Sequence, residues 1–209
     1  MRNQKKPPRK KAIKRGIYLD FEGFQDKPPA MVGVLCEGHF EQVIFSEELH
    51  PAAHAKGLCV STLERELKDL IDRANRQKRW IFAYTRHELN ELEEWCPGLL
   101  PRMRQRYHDV HKFTKKWLNK FYHDEKPGDL SLQSLVDYIG HPYPKHLGTG
   151  QATSRLRSVI NMLKRKGNYA DLTGTVKAKW TKLLDYNERD CRSMKKLALH
   201  VKQDYIDRR

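Results

Sequence analysis

Two acids one residue apart, Asp20 and Glu22, interrupt an alternating apolar segment, Ile17-Tyr18-Leu19-Asp20-Phe21-Glu22. In a strand they project from one face while Phe21 points to the other. Like charges that close repel and raise each other's pKa unless a cation sits between them. A divalent metal is therefore the chemistry that such a pair suits. The plainer alternative is an edge strand carrying two solvated acids. A second block, Ile81-Phe82-Ala83-Tyr84-Thr85-Arg86-His87-Glu88, reads as a strand ending at Tyr84, with Glu88 opening the next helix. Strand-end-to-helix-start is where α/β proteins place ligand groups. Glu91, Glu93 and Glu94 crowd the same helix, so Glu91 competes with Glu88, and a helix-dipole role is open to all of them. A third block, Tyr186-Asn187-Glu188-Arg189-Asp190, puts Tyr186 and Asp190 four apart on one helical face. The alternative for Asp190 is an exposed helix acid paired with a nearby cation.

The elements that must position these groups can be read from periodicity and breakers. Residues 16–23, 30–36 and 39–45 read as three successive strands, with Glu37-Gly38 as a two-residue hairpin turn. Ser61-Thr62-Leu63-Glu64 has the form of a capping box, and Leu63, Leu67, Leu70 and Ile71 recur at helical spacing to about residue 76. A short apolar strand spans 80–84, and a helix over 87–95 stops before Pro97. A short strand is expected at 107–110 and helices over 112–122 and 130–139. Breakers at His141-Pro142-Tyr143-Pro144 and from Gly148 to Gly150 imply a loop. Helices are expected over 153–166 and about 176–202. This order predicts an α/β fold: a mixed sheet, three antiparallel strands then parallel strands, flanked by helices. Residues 1–14 read as a disordered basic arm, and 15–209 as one domain.

The three acid blocks, in this order and spacing, resemble the DEDD 3′–5′ exonucleases of the ribonuclease H-like superfamily, and most closely their YprB-like branch. Leu19-Asp20-Phe21-Glu22, Tyr84-Thr85-Arg86-His87-Glu88 and Tyr186-Asn187-Glu188-Arg189-Asp190-Cys191 carry the resemblance. Asp129-Leu130-Ser131-Leu132-Gln133-Ser134-Leu135 is similar to that branch's helix between the second and third motifs. The resemblance covers most of the chain. It implies a ribonuclease H-like sheet in which Asp20, Glu22, Glu88 and Asp190 hold two Mg²⁺ or Mn²⁺ ions. It also implies that Tyr186 orients the attacking water. Most DEDD enzymes carry Asp, and a nearby Asn, in the second motif; Glu88 stands here without that Asn. The implied activity is metal-dependent phosphodiester hydrolysis, 3′–5′ from single-stranded ends. Hard ions suit four carboxylates and would activate water and stabilise the leaving oxygen. Two alternatives on the same fold are a non-catalytic nucleic-acid-binding module and a ribonuclease H-like endonuclease.

Charge agrees with a nucleic-acid partner. The chain has 41 Lys+Arg against 26 Asp+Glu, net +15. Eight of the positives lie in residues 1–15, so the remainder is still basic. Arg102, Arg104, Arg106, Lys112, Lys115, Lys116 and Lys120 are interleaved with Tyr107, Phe113, Trp117, Phe121 and Tyr122. That is the pattern of a single-strand track, or else of core aromatics beneath a solvated face. Arg155 and Arg157 begin a second basic stretch. Asp109 could join the acids, though a structural strand-end role is favoured. His50/His54 and His108/His111 have metal-ligand spacings but no cysteine cluster beside them. Cys36, Cys59, Cys96 and Cys191 are scattered, which reads as reduced, buried thiols of a cytoplasmic protein. No apolar run long enough for a membrane helix and no secretory signal are seen, so no membrane partner is expected.

Overall fold

The structure, a computed structural model, describes residues 7–148 and 150–208. Residues 16–23 deliver the first strand, β1 (Ile17–Glu22), which pairs antiparallel with β2 (Met31–Cys36). β2 pairs antiparallel with β3 (His39–Ile44) through the expected turn: Cys36 faces His39, and Glu37 and Gly38 have φ of 52° and 92°. Positive φ at both central residues is the geometry whose twist matches that of the strands. A two-residue strand, β4 (Cys59–Val60), adds parallel to β3. On the other side of β1 lie β5 (Ile81–Ala83) and β6 (Tyr107–Asp109), both parallel to it. The sheet order is β4-β3-β2-β1-β5-β6, with β1 near its centre.

Alternation along β1 assigns its two faces. Ile17, Leu19 and Phe21 join a core with α3 (Leu63–Arg76), α4 (His87–Trp95) and α5 (Leu100–Arg104). Tyr18 points to the opposite core, built on α6 (Val110–Phe121), α7 (Leu132–Tyr138) and α9 (Gly174–Asp207). A third cluster joins Met31 and Ile44 to α8 (Ala152–Lys166), to the first half of α9 and to the short helix α2 (His50–His54). Asp20 and Glu22 share Tyr18's parity and so face α9. That helix lies across β1 and β2 and buries Trp180, Leu183, Cys191, Met194, Leu197 and Val201. Each such side chain contributes roughly 1.5–3 kcal/mol, so α9 is firmly seated.

Several local expectations give way. The cap of α3 is Thr62, whose hydroxyl accepts from the Arg65 N–H at 3.3 Å. With Arg65 rather than Glu three residues on, no reciprocal box exists. The arm expected over 1–14 lies partly outside the described residues, but Lys10–Lys14 form a helix, α1, packed on α9. Ile13 is its anchor: fully buried, its carbonyl accepts from the Tyr18 hydroxyl at 2.8 Å. Cys59 is exposed rather than buried. Among the described residues, no helix is long and apolar enough to cross a membrane.

Candidate active site

Parallel pairing aligns the carboxyl ends of β1, β5 and β6 at one edge of the sheet. Glu22 ends β1, Glu88 follows β5 at the start of α4, and Asp109 ends β6. α9 brings Asp190 across the face from which Asp20 and Glu22 project. Glu22, Glu88 and Asp190 are 8%, 3% and 7% exposed, and Asp20 keeps part of its surface in solvent.

Electrostatics ties the four together. Burial raises the Asp20 pKa well above its usual value, and Glu22, Asp190 and Glu88 raise it further. Burial and then Asp190 push Glu22 up to about 8, against the opposing charge of Arg155. Burial lifts Glu88 to about 8. Asp190 reaches about 6, burial being resisted by hydrogen bonds from Tyr143 and Tyr186. Glu88, rather than Glu91, is the second-block acid that Asp20 senses. Glu91 turns to His87, 3.5 Å away.

Neutral donors hold the acids in place. Asn187, fully buried on α9, donates to the Asp20 carboxylate at 2.9 Å and to its backbone carbonyl at 3.0 Å. Its own oxygen accepts from Gln42 at 3.1 Å. Room for it comes from Gly33, opposite Asp20 in the β1–β2 ladder: a Cβ there would stand 2.1 Å from the Asn187 oxygen. Tyr143 donates to Asp190 at 2.8 Å, and Tyr107 donates to Glu88 at 3.1 Å. Gln133 on α7 donates to the Tyr186 hydroxyl at 2.9 Å. The block from Asp129 to Leu135 thus has a visible task. Asp129 accepts from Ser131 and Ser134, Ser131 caps α7, and α7 then fixes Tyr186.

Tyr143, Asn187, Gly33 and Gln133 were not singled out from sequence. The Pro-flanked Tyr143 and the placement of Asn187 three residues before Asp190 are the only local signals that point to them. Asp109 is a helix cap, accepting from the Lys112 N–H at 2.7 Å, although its charge is felt at Glu88. His108 packs on Trp80 and Phe82, and His111 on Tyr84.

The expected single-strand track is not a continuous surface. Arg102 pairs with Asp72, Arg104 with Glu93 at 3.5 Å, and Arg106 donates to Asn75 at 3.0 Å. Arg106 immediately precedes β6, so it lies at the opposite end of the strands from Glu88. Tyr107, Phe113 and Trp117 are core residues, which removes them as stacking platforms. Lys112 and Lys115 are exposed, and Lys116 is half-buried. Arg155 is buried, donating to the Leu147 carbonyl and to Gln151, while Arg157 is exposed over Phe24.

Among the described residues, no three His, Cys, Asp or Glu side chains are gathered into a ready-made metal cage. The donor set nevertheless suits hard divalent ions: Asp20 senses the other three carboxylates in a largely dry place, and the thiol beside them, Cys191, is kept protonated by burial and by the charge of the same four acids. No protein-family model, curated protein or solved structure matches the chain.

Proposed function

We propose that this chain is a metal-dependent nuclease that hydrolyses phosphodiester bonds, acting as a 3′–5′ exonuclease on single-stranded ends. The observation that carries this reading is the convergence of Asp20, Glu22, Glu88 and Asp190 from three sequence blocks into one electrostatic unit. Burying four like-charged groups is costly unless a cation or protons neutralise them. The support is threefold: the donor chemistry, the resemblance of these blocks to DEDD exonucleases, and a mixed sheet of three antiparallel strands followed by parallel ones.

Asp20, central to the couplings, and Glu22, Glu88 and Asp190 would hold two Mg²⁺ or Mn²⁺ ions. Such ions supply an activated water and stabilise charge on the leaving oxygen. Asn187 fixes the Asp20 rotamer, leaving its other carboxylate oxygen for a ligand. Tyr107 and Tyr143 do the same for Glu88 and Asp190. Tyr186 accepts from Gln133, and burial followed by the Asp190 charge holds its pKa above the usual 10. It therefore stays protonated, able to orient a water but not to act as a base.

The test is digestion of end-labelled single-stranded DNA and RNA with Mg²⁺ or Mn²⁺. Stepwise shortening from the 3′ end is expected, with closed circles resistant. Cleavage of circles would replace the exonuclease by an endonuclease. Full activity in excess chelator would sink the metal mechanism, and tight binding without cleavage would leave a non-catalytic binding module.

A further inference from the structure

The opposite edge of the sheet carries a different surface. Before β1 and before β5, two short segments meet: α1 with its flanks, and the turn after α3. The Ile17 N–H donates to the Trp80 carbonyl at 2.9 Å, and Arg79 donates to the Arg15 carbonyl at 2.7 Å. Between them lies a concavity of about 200 Å³ lined by Arg9, Lys11, Arg15, Lys78, Arg79 and Trp80. Arg79 is 7% exposed and forms the floor, its charge met by Glu37 at 2.6 Å. Arg9, Lys11, Arg15 and Lys78 are exposed, and among the described residues no acid lines the concavity, Glu37 lying outside the lining with its charge toward Arg79 and Arg15. Four cations held around a pocket without an acid in its lining repel one another. An anionic ligand relieves that repulsion.

We propose that this edge is a second, non-catalytic binding site for the sugar-phosphate backbone of single-stranded nucleic acid. It rests on the nuclease reading only for the identity of the polyanion. Trp80 lines the pocket with His108 and Arg106 already against its ring, so stacking is a minor contribution, and the phosphate backbone of a single strand is the part that this cationic lining suits. A membrane surface is disfavoured: the exposed large apolar residues Val60, Trp95 and Ile206 all lie outside this lining. The six residues of β1 separate the two edges by about 20 Å. A strand held here would therefore reach the carboxylates only if it is several nucleotides long.

The experiment measures binding of a labelled single-stranded oligonucleotide across a salt series, in chelator so that nothing is cut. Wild type is compared with the combined variant Arg9→Ala, Lys11→Ala, Arg15→Ala, Lys78→Ala; Arg79 is spared because it is buried and bonded. Melting curves verify that the variant folds. The slope of log affinity against log salt should be shallower in the variant by about 0.7 per lost contact, up to about 3 in all. In the presence of metal, KM for a long strand should rise more than kcat falls. Unchanged affinity and slope would overturn the second site. So would preference of wild type for phosphatidylserine vesicles over the oligonucleotide. A shallower slope in a protein that cuts nothing would uphold this site while overturning the nuclease reading.

Discussion

The two edges of one sheet hold charge in opposite ways. At the carboxyl ends of β1 and β5, acids are buried, held by neutral donors and pushed above their usual pKa values. At the amino ends, cations stand in solvent around a concavity. Exposed like charges are screened by water and salt, so such a surface is cheap to keep and acts over about 8–10 Å at physiological ionic strength. Buried like charges are expensive, and the cost is recovered only when an ion or proton occupies the site. On the proposed reading, the contrast would separate long-range capture from short-range chemistry.

The largest effect expected at the acid edge is on turnover. Asp20→Asn keeps the volume and the Asn187 contact but removes the carboxylate on which the charges of the other three acids act. Cleavage should fall by at least about a thousandfold while oligonucleotide binding in chelator is retained. A variant with near-normal turnover would break the comparison outright.

Titration should distinguish the acid edge next. Glu22 and Glu88 shift from 4.5 unfolded to about 8 folded. Their contribution to stability is therefore full below pH 4.5 and lost as pH rises through 8. His108, in the middle of β6 and packed on Trp80 and Phe82, behaves oppositely: burial lowers it from 6.5 to about 4. Its contribution is full above pH 6.5 and is lost, up to about 3 kcal/mol, as pH falls to 4. Melting curves should show His108→Phe relieving the acid-side loss. Mg²⁺ or Mn²⁺ should relieve the alkaline-side loss, adding about 2.7 kcal/mol at a hundredfold excess over Kd, which is roughly 5–10 °C at this size. A melting temperature indifferent to both ions at pH 8 would remove the reason for burying the acids.

Gly33→Ala tests how tightly α9 is seated over the site. The added methyl would displace the Asn187 amide, costing roughly 1–3 kcal/mol and freeing the Asp20 carboxylate. The double variant Gly33→Ala, Asn187→Ala should recover part of the stability but not the activity. Recovery of both would mean that Asn187 does not position Asp20.

What the sequence discloses follows from how local each signal is. Asp20 and Glu22 share a face because strands alternate, and Tyr186 and Asp190 because helices turn; both patterns fit within five residues. Asn187 gains meaning only through Gly33 and Gln42, some 150 residues away, which no local pattern reports. The partners of Arg102, Arg104 and Arg106 are hidden for a similar reason: Asp72, Glu93 and Asn75 lie 11 to 31 positions away in sequence. The α1 helix was hidden behind Pro7, Pro8 and a run of cations, because a single apolar residue, Ile13, anchors it. The α/β class was legible, since the order of strands and helices constrains the sheet whatever the long-range contacts.

The smallest effect separates the two tyrosines on Asp190. Tyr186 was expected from its spacing, whereas Tyr143 arrives from the loop after α7 and makes the 2.8 Å bond. A hydrogen bond to a charged group contributes about 1.5–3 kcal/mol, and part of that is regained when water replaces the lost hydroxyl. Tyr143→Phe should therefore raise the Asp190 pKa and weaken metal binding by about tenfold, read as a higher Mg²⁺ concentration for half-maximal rate. The rate at saturating metal should change little, because Tyr143 already spends its proton on the carboxylate. Tyr186 hydrogen-bonds Asp190 as well but also accepts from Gln133 at 2.9 Å, so Tyr186→Phe should raise metal demand in the same direction and, through loss of the hydroxyl that orients a water, lower the saturated rate too. Equal behaviour of the two variants would show that both only support Asp190, and that the water is oriented by some other group.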